Sequence, residues 1–316
     1  MPKGMIGIAV QEPNGAAAVS AIRRYEEAGV PAAWLTTGGV GADSLTVFAA
    51  AAATTSRILL GTCIIPILPR HPLVVVQQTI VIASLAPGRF RLGVGPSHKP
   101  AVEGMYGFEF KAPQGHLREY IRILKDIFRD GAVDFDGRHY HAHARLQAPL
   151  DPPVPVMASA LREKAFRLCG EIADGAITWV CPLNYIRDVA IPAVQAGAET
   201  AARVGPPLVA HVPFCLSDDA DAAREAARRQ LAGYPRLPYY AQMMVDAGLP
   251  EAAQGQWSDA MVDAIVAHGN EDKVAARLQE YLDAGVGEII AAPITLGSRE
   301  GSLERAAAFV ARLANR

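Results

Sequence analysis

Short apolar runs alternate with longer stretches of helical periodicity along the chain. The helical stretches are clearest where Leu117, Ile121, Leu124 and Phe128 form one apolar stripe. Eight apolar runs have the length of buried strands and are bounded by turn residues; they cover residues 5–10, 32–36, 58–65, 90–94, 154–158, 175–180, 208–216 and 288–291. Parallel strands buried on both faces are continuously apolar, so the pattern predicts an α/β fold, a closed (β/α)8 TIM barrel.

We predict a single domain over residues 1–316, because composition does not change abruptly along the 316 residues. Two segments depart from the alternation, and we interpret both as insertions: residues 96–114, with several glycines and prolines, and residues 233–270. Tyr234, Tyr239, Tyr240 and Met243 lie in the second insertion, which follows the seventh strand. A loop in this position typically covers the mouth of a barrel, so we expect substrate contacts or subunit contacts from it.

Composition narrows the class of protein. The net charge is −2, with 30 Lys and Arg against 32 Asp and Glu, which disfavours binding to nucleic acid or to an anionic membrane. The four cysteines form no Cys-x-x-Cys pair, which is typical of reduced thiols. The apolar run at residues 58–68 is too short to span a bilayer, and no signal peptide is recognisable. We therefore expect a soluble cytoplasmic protein.

Several common site motifs are absent from the sequence. The glycines of residues 92–98 lack the third glycine and the acidic residue of a dinucleotide-binding loop, and no nucleophile elbow, zinc-protease motif or phosphate-binding loop occurs. His139, His141 and His143 alternate, which would place three imidazoles on one strand face. They follow the turn signature Phe135-Asp136-Gly137 with no carboxylate to complete a metal site, so a solvated hairpin is favoured and no metal is predicted.

Residues 58–72 (ILLGTCIIPILPRHP) and 87–95 (PGRFRLGVG) carry the most specific pattern in the chain. Together with Gly95-Pro-Ser-His98, residues 116–120, 153–160 and 283–286, they resemble the luciferase-like monooxygenase superfamily, and within it the branch that uses the deazaflavin coenzyme F-420. The resemblance covers nearly the whole chain and is weakest from 233 to 270. It implies a bacterial-luciferase-like TIM barrel that binds F-420, and relatives are commonly homodimers.

The resemblance also implies where the cofactor lies. A non-prolyl cis peptide after the third strand backs the ring in this superfamily, and it corresponds here to Cys63–Ile64. The phosphate of the cofactor would meet backbone N–H groups of Ser159, Ala160 and Leu161, where a helix begins near Arg162. The full set of expected cofactor contacts is Thr37, Thr62, Cys63, Ile64, Gly95, His98, Ala158, Ser159, Ala160, Leu161, Trp179, Val180 and Cys181.

The cofactor branch implies hydride transfer between the deazaflavin C5 and a small organic substrate, because a deazaflavin is a two-electron carrier. We expect His98 to donate the proton, with Glu103 as the second candidate; some relatives carry a glutamate where His98 lies. Dehydrogenases of this family have a histidine-containing pair after the second strand, where this chain reads Thr36-Thr37-Gly38-Gly39. The expected substrate is therefore an imine, an activated alkene or a related acceptor.

Two alternatives remain open at this stage. An FMN-dependent monooxygenase would have the same fold, and Lys99, Arg162 and Lys164 would distinguish it only if they bind the carboxylates of an F-420 tail. A non-catalytic flavin-binding barrel is the second alternative, because fold alone does not establish activity.

Overall fold

The computed structural model describes residues 4–314. The strands are β1 Met5–Ala9, β2 Ala32–Leu35, β3 Leu59–Thr62, β4 Ile65–Pro66, β5 Phe90–Gly95, β6 Ala132–Asp136, β7 His141–Arg145, β8 Val156–Ser159, β9 Gly175–Trp179, β10 Leu208–Leu216, β11 Ala267–Gly269 and β12 Glu288–Pro293. The helices are α1 Gly15–Glu27, α2 Ser44–Ala52, α3 Pro72–Leu85, α4 Lys99–Tyr106, α5 Pro113–Asp130, α6 Glu163–Ile172, α7 Leu183–Tyr185, α8 Ile191–Thr200, α9 Ala220–Gln230, α10 Pro238–Asp246, α11 Asp259–Ile265, α12 Glu271–Asp283 and α13 Arg299–Ala314.

The main sheet closes on itself. Parallel pairing runs through β1, β2, β3, β5, β8, β9, β10 and β12, and β12 pairs again with β1. Since inward- and outward-facing residues alternate along each strand, one set of side chains fills the barrel and the other packs against the helices. The (β/α)8 barrel predicted from the apolar runs is confirmed, and each of the eight runs overlaps one of these strands.

The barrel interior holds a separate cluster of buried side chains: Met5, Ala9, Ala32, Trp34, Cys63, Met157, Ile177, Val209, Ile290 and Ala292. Near the amino-terminal ends of the strands it also holds a buried ion pair between Arg91 and Glu288. Glu288 accepts a further hydrogen bond from Trp34 Nε1 at 2.8 Å, and the Arg91 guanidinium lies 4.3 Å from the centre of the Trp34 ring. These groups satisfy one another and close the lower end of the barrel.

Both segments interpreted as insertions contain regular structure. Residues 96–114 include α4, which begins despite Pro100 because proline is tolerated in a first helical turn. Residues 233–270 form α10, α11, two 3-10 turns and the short strand β11, which extends the sheet beside the end of β10. The interpretation of these segments as insertions and the single-domain assignment both stay predictions.

The histidine-rich segment forms the predicted hairpin, β6 and β7. His139 lies in the turn and stacks on His116 with ring centres 4.0 Å apart, so the expectation of three imidazoles on one face was wrong. His141 and His143 do share a face, but Asp136 and Asp134 of β6 lie opposite them, with His141 Nδ1 2.8 Å from Asp136 Oδ1. Carboxylates are therefore close by, contrary to the sequence interpretation. No group of three metal-ligating side chains occurs among residues 4–314.

Within the same described range, none of the helices combines the length and the apolar character that crossing a membrane requires. Cys63, Cys169, Cys181 and Cys215 are all buried free thiols, which agrees with the reduced state expected for them.

Candidate active site

A bulge between β3 and β4 forms one wall at the carboxyl ends of the strands. The peptide between Cys63 and Ile64 is cis, as the resemblance implies. The end of β2 holds both residues: the Cys63 N–H donates to the Leu35 carbonyl at 3.0 Å, and the Thr36 hydroxyl donates to the Cys63 carbonyl at 2.8 Å. The Thr37 N–H donates to the Ile64 carbonyl at 3.1 Å. The bulge is thus fixed by its neighbouring strand.

Two of the expected cofactor contacts on this wall have their hydroxyls engaged elsewhere. The Thr62 hydroxyl accepts from the Gly93 N–H at 2.7 Å and donates to the Gly93 carbonyl at 2.8 Å, which joins β3 to β5. The Thr37 hydroxyl lies 2.6 Å from that of Ser44 at the start of α2. Both hydroxyls therefore hold the wall together.

Gly95, Ile64 and Ser159 meet at one point of the mouth. A methyl group on Gly95 would lie 3.1 Å from the Ile64 side chain and closer still to the Ser159 hydroxyl. The three residues come from β5, the bulge and β8, which are distant in sequence and adjacent in the barrel. The absence of a side chain at Gly95 allows the bulge and Ser159 to approach β5 closely.

The segment after β8 leads into α6. The Ala160 N–H donates to the Ile177 carbonyl at 2.9 Å, and Ala158 belongs to the layer between strands and helices. Helix α6 begins at Glu163, one residue later than expected, and its first turn carries N–H groups that need partners outside the helix. The Ala160 N–H is therefore bonded within the sheet, and Leu161 with the first turn of α6 offers the donors.

The residues after β9 are held by the second insertion. Trp179 is partly exposed and contacts Tyr234, with ring centres 5.6 Å apart. Val180 is fully buried at φ 45°, a left-handed conformation that β-branched residues rarely adopt. Cys181 is buried 3.9 Å from the Met243 sulfur of α10, and burial raises the pKa of its thiol. Of these three expected contacts, Trp179 lies at the mouth, and the other two pack beneath it.

His98 lies directly before α4, where its ring contacts the second insertion. The ring centre is 5.6 Å from that of Tyr240 and 6.4 Å from that of Tyr234. The preceding residue, Ser97, has a φ of 63°, which turns the chain at the end of β5. Burial lowers the pKa of His98 below its ordinary value of 6.5, so the imidazole is neutral at pH 7.

Glu103, the second candidate for proton transfer, is directed elsewhere. Its carboxylate is exposed, accepts a hydrogen bond from the Phe110 N–H at 3.2 Å and lies 3.9 Å from the Lys99 ammonium. These contacts close the loop after α4 and leave Glu103 apart from the rings around His98. Arg162, another rim residue, pairs with Asp246 of α10 at 2.8 Å.

His211 is a polar residue of the mouth that sequence reasoning missed. It lies in β10, its ring centre is 4.1 Å from that of Trp179, and its buried Nε2 has no hydrogen-bond partner. Burial lowers the pKa of His211 to about 3. The one signal in the sequence was a single histidine within the apolar run 208–216. Such a histidine is more often a core residue than a ligand-binding residue.

Three comparisons with known proteins bear on this site. The family model described as luciferase-like monooxygenase matches residues 5–288. An F-420-dependent glucose-6-phosphate dehydrogenase of Beutenbergia cavernae is 30% identical over 275 residues, covering 81% of this chain and 79% of the relative. A protein of the same description from Amycolatopsis mediterranei is 26% identical, covering 84% and 85%.

Solved structures show the same fold. An F-420-dependent secondary alcohol dehydrogenase in complex with an F-420–acetone adduct superposes with a TM-score of 0.83 at 18% identity, covering 100% of both chains. The F-420-dependent tetrahydromethanopterin reductase of Methanopyrus kandleri gives 0.77 at 22% identity, covering 97% of both. A diketocamphane monooxygenase of Pseudomonas putida in complex with FMN gives 0.75 at 15% identity, covering 100% and 99%.

Proposed function

Because the chain belongs to the luciferase-like monooxygenase family, we propose that it is an F-420-dependent oxidoreductase that transfers a hydride between the deazaflavin C5 and a small organic molecule. The sequence relatives support this assignment, since those at 30% and 26% identity over about four fifths of the chain are named for F-420. The family also contains monooxygenases, so the fold alone does not select the cofactor.

The close approach of Gly95, the Cys63–Ile64 bulge and Ser159 is the observation that carries the proposal. It lies at the carboxyl ends of the strands, where TIM barrels bind their ligands, and the absence of a side chain at Gly95 allows the bulge and Ser159 to approach β5 there. Cys63, Ile64 and Ser159 would hold the ring from one side. Leu161 and the first turn of α6 would hold the phosphate, because free N–H groups and the helix dipole favour an anion there.

When bound, F-420 supplies a two-electron hydride carrier, and the residues of this chain supply the proton and exclude water. A ring nitrogen of His98 is the group we assign to proton transfer, since its imidazole lies at the mouth in contact with Tyr240. Because burial lowers the pKa of His98, the protonated form is populated only at acidic pH. Tyr234 and Tyr240, brought in by the second insertion, cover the ring of His98 and shield it from solvent.

We keep an imine or an activated alkene as the expected acceptor. At the end of β2, where the dehydrogenases of this family have a histidine, Thr36 and Thr37 are both engaged in holding the bulge. Proton transfer during alcohol oxidation would thus require a different residue from the one that resemblance suggests.

We also propose that the protein forms a homodimer. Helix α3 is apolar on nearly every face, yet Val74, Val81 and Leu85 are each more than 40% exposed. A helix that is apolar all round is normally buried, so this face is the surface we expect a second copy to cover.

Thermal unfolding of the purified protein with F-420, FMN or NADPH added separately tests the cofactor assignment. A ligand that binds the native state raises the midpoint by mass action, so F-420 should raise it and the other two should not. A shift with FMN alone would support the monooxygenase alternative. A shift with F-420 but no turnover of any imine or enone would favour the non-catalytic barrel.

A further inference from the structure

His211 lies in the barrel wall two residues further toward the mouth than the buried ion pair. In the pairing of β10 with β12, Val209 is level with Glu288 and His211 is level with Ile290. Two strand residues correspond to roughly 6–7 Å along the strand. His211 therefore belongs to a layer of its own, above the polar groups that close the lower end.

The surroundings of His211 are aromatic and apolar. On one side, Trp179 of β9 stacks against its ring at 4.1 Å, and on the other it is level with Ile290 of β12. Above Trp179, Tyr234 of the second insertion forms a roof, with ring centres 5.6 Å apart. These rings pack on one another, and two of their polar atoms, His211 Nε2 and Trp179 Nε1, are buried without a hydrogen-bond partner.

A buried polar atom without a partner costs free energy, and His211 Nε2 lies at the mouth, where TIM barrels bind their ligands, so we infer that a ligand completes its hydrogen bonding. His211 brings no positive charge to that ligand, because burial lowers its pKa to about 3. Within residues 4–314, Arg91 is the cationic side chain that faces the barrel interior from a strand, and it is paired with Glu288. At the rim, Arg162 is paired with Asp246 and Lys99 lies near Glu103.

We propose that Trp179, His211 and Tyr234 form the substrate subsite of this protein, and that it takes a neutral, planar carbonyl compound whose oxygen accepts a hydrogen bond from His211 Nε2. The assignment rests on the proposed function, because it places the substrate at the same mouth as the cofactor. It also separates this chain from its relatives named for glucose 6-phosphate, since a sugar phosphate would require cations that this group of rings lacks.

Calorimetric titration with three probes tests the subsite, in the presence and in the absence of F-420. Acetophenone is planar, neutral and has a conjugated carbonyl, ethylbenzene has nearly the same shape without the oxygen, and glucose 6-phosphate is the charged comparison. Acetophenone should bind at least tenfold more tightly than ethylbenzene, because it satisfies the buried nitrogen. Glucose 6-phosphate should not bind measurably.

His211→Phe keeps an aromatic ring of similar size and removes the hydrogen bond, whereas His211→Asn keeps a donor. We expect His211→Phe to weaken acetophenone binding about tenfold and to change ethylbenzene binding less than twofold, with partial recovery in His211→Asn. An equal loss for both probes, or no loss for either, would overturn the proposal in favour of packing or of a bound water. The unfolding midpoint of each variant verifies that it is folded.

The titrations with and without F-420 distinguish a failure of the subsite assignment from a failure of the cofactor assignment. If wild-type protein fails to bind F-420 but discriminates acetophenone through His211, the cofactor assignment is wrong and the subsite stands. If His211→Phe loses F-420 affinity, His211 belongs to the cofactor site and the subsite assignment is wrong. Tight binding of glucose 6-phosphate would also overturn the subsite.

Discussion

The two ends of the barrel treat buried polar groups in opposite ways. At the lower end Arg91, Glu288 and Trp34 satisfy one another within the protein. At the mouth His98 is half-buried and His211 is buried beside aromatic rings, and the Nε2 of His211 has no partner. Polar groups that satisfy one another stabilise or specify a fold, whereas unsatisfied ones at the mouth are available to a ligand. The difference distinguishes residues that stabilise the barrel from residues that we expect to contact a ligand.

The largest effect should come from breaking the lower network. Glu288→Leu leaves the buried guanidinium of Arg91 without its carboxylate, which should reduce the free energy of unfolding by about 3–5 kcal/mol. Urea denaturation measures this loss. The double variant Arg91→Leu with Glu288→Leu removes both charges and should recover much of the stability. If the double variant were as unstable as the single one, packing and not the unpaired charge would explain the network.

The second prediction concerns His98 at the opposite end. His98→Gln should reduce turnover at least 100-fold and leave F-420 affinity and the unfolding midpoint near wild type, because the lost function is proton transfer. Glu103→Gln is the matched control on the same helix, and it should keep turnover within a few-fold because its carboxylate faces the loop at Phe110. Equal losses in the two variants would contradict the assignment of His98.

The pH dependence of turnover sharpens the same assignment. Because the pKa of His98 is lowered from 6.5, the protonated ring becomes populated only as the pH falls below that value. Substrate reduction, which needs the proton, should therefore accelerate as the pH decreases through the range below 6.5. The reverse oxidation needs the neutral ring and should already be at its plateau at pH 7. A reduction rate that is flat below pH 6.5 in wild type would exclude His98 as the donor.

The contrast between the two ends also explains what the sequence could predict. The barrel strands follow from apolar runs such as 208–216, because burial on both faces leaves a signal in composition. Strand β11 was missed because three residues around His268 carry no such signal, and α4 was missed because Pro100 and Gly104 resemble a loop. The local sequence pattern predicts an element whose residues are apolar enough to be buried, and it fails to predict an element that forms only because of tertiary contacts.

The site was predictable only in part for a related reason. The resemblance indicated His98 and the bulge at Cys63–Ile64, because those residues lie within contiguous motifs. The pairing of Trp179 with His211 and the roof formed by Tyr234 join residues from three distant segments. Periodicity carries no information about such meetings, and an imidazole in an apolar strand indicates a core position. The same limitation made Ala160 an expected donor, although its N–H is bonded to Ile177.

Adding a methyl group at the close contact of Gly95 with Ser159 and Ile64 should have an intermediate effect. Gly95→Ala places a methyl group against Ile64 and Ser159, so we expect the free energy of unfolding to fall by about 1–3 kcal/mol and F-420 affinity to fall with it. Combining Gly95→Ala with Ser159→Gly removes the closest clash and should restore part of the stability. Thermal unfolding with and without F-420 measures both quantities. Unchanged cofactor affinity in the single variant would place the ring elsewhere in the mouth.

The smallest effect should come from the rim, where Arg162 and Asp246 join the start of α6 to α10. Both side chains are about one third exposed, so the 2.8 Å pair should contribute only about 0.2–1 kcal/mol to stability. Asp246→Asn should therefore change the unfolding midpoint little, and 1 M salt should reduce even that difference because it screens exposed charges. The same variant releases the guanidinium of Arg162 at the end of α6 where we place the phosphate, so F-420 affinity should stay the same or increase. A marked loss of cofactor affinity would show that α10 positions the phosphate site through this pair, and the mouth would then depend on the insertion for more than its aromatic roof.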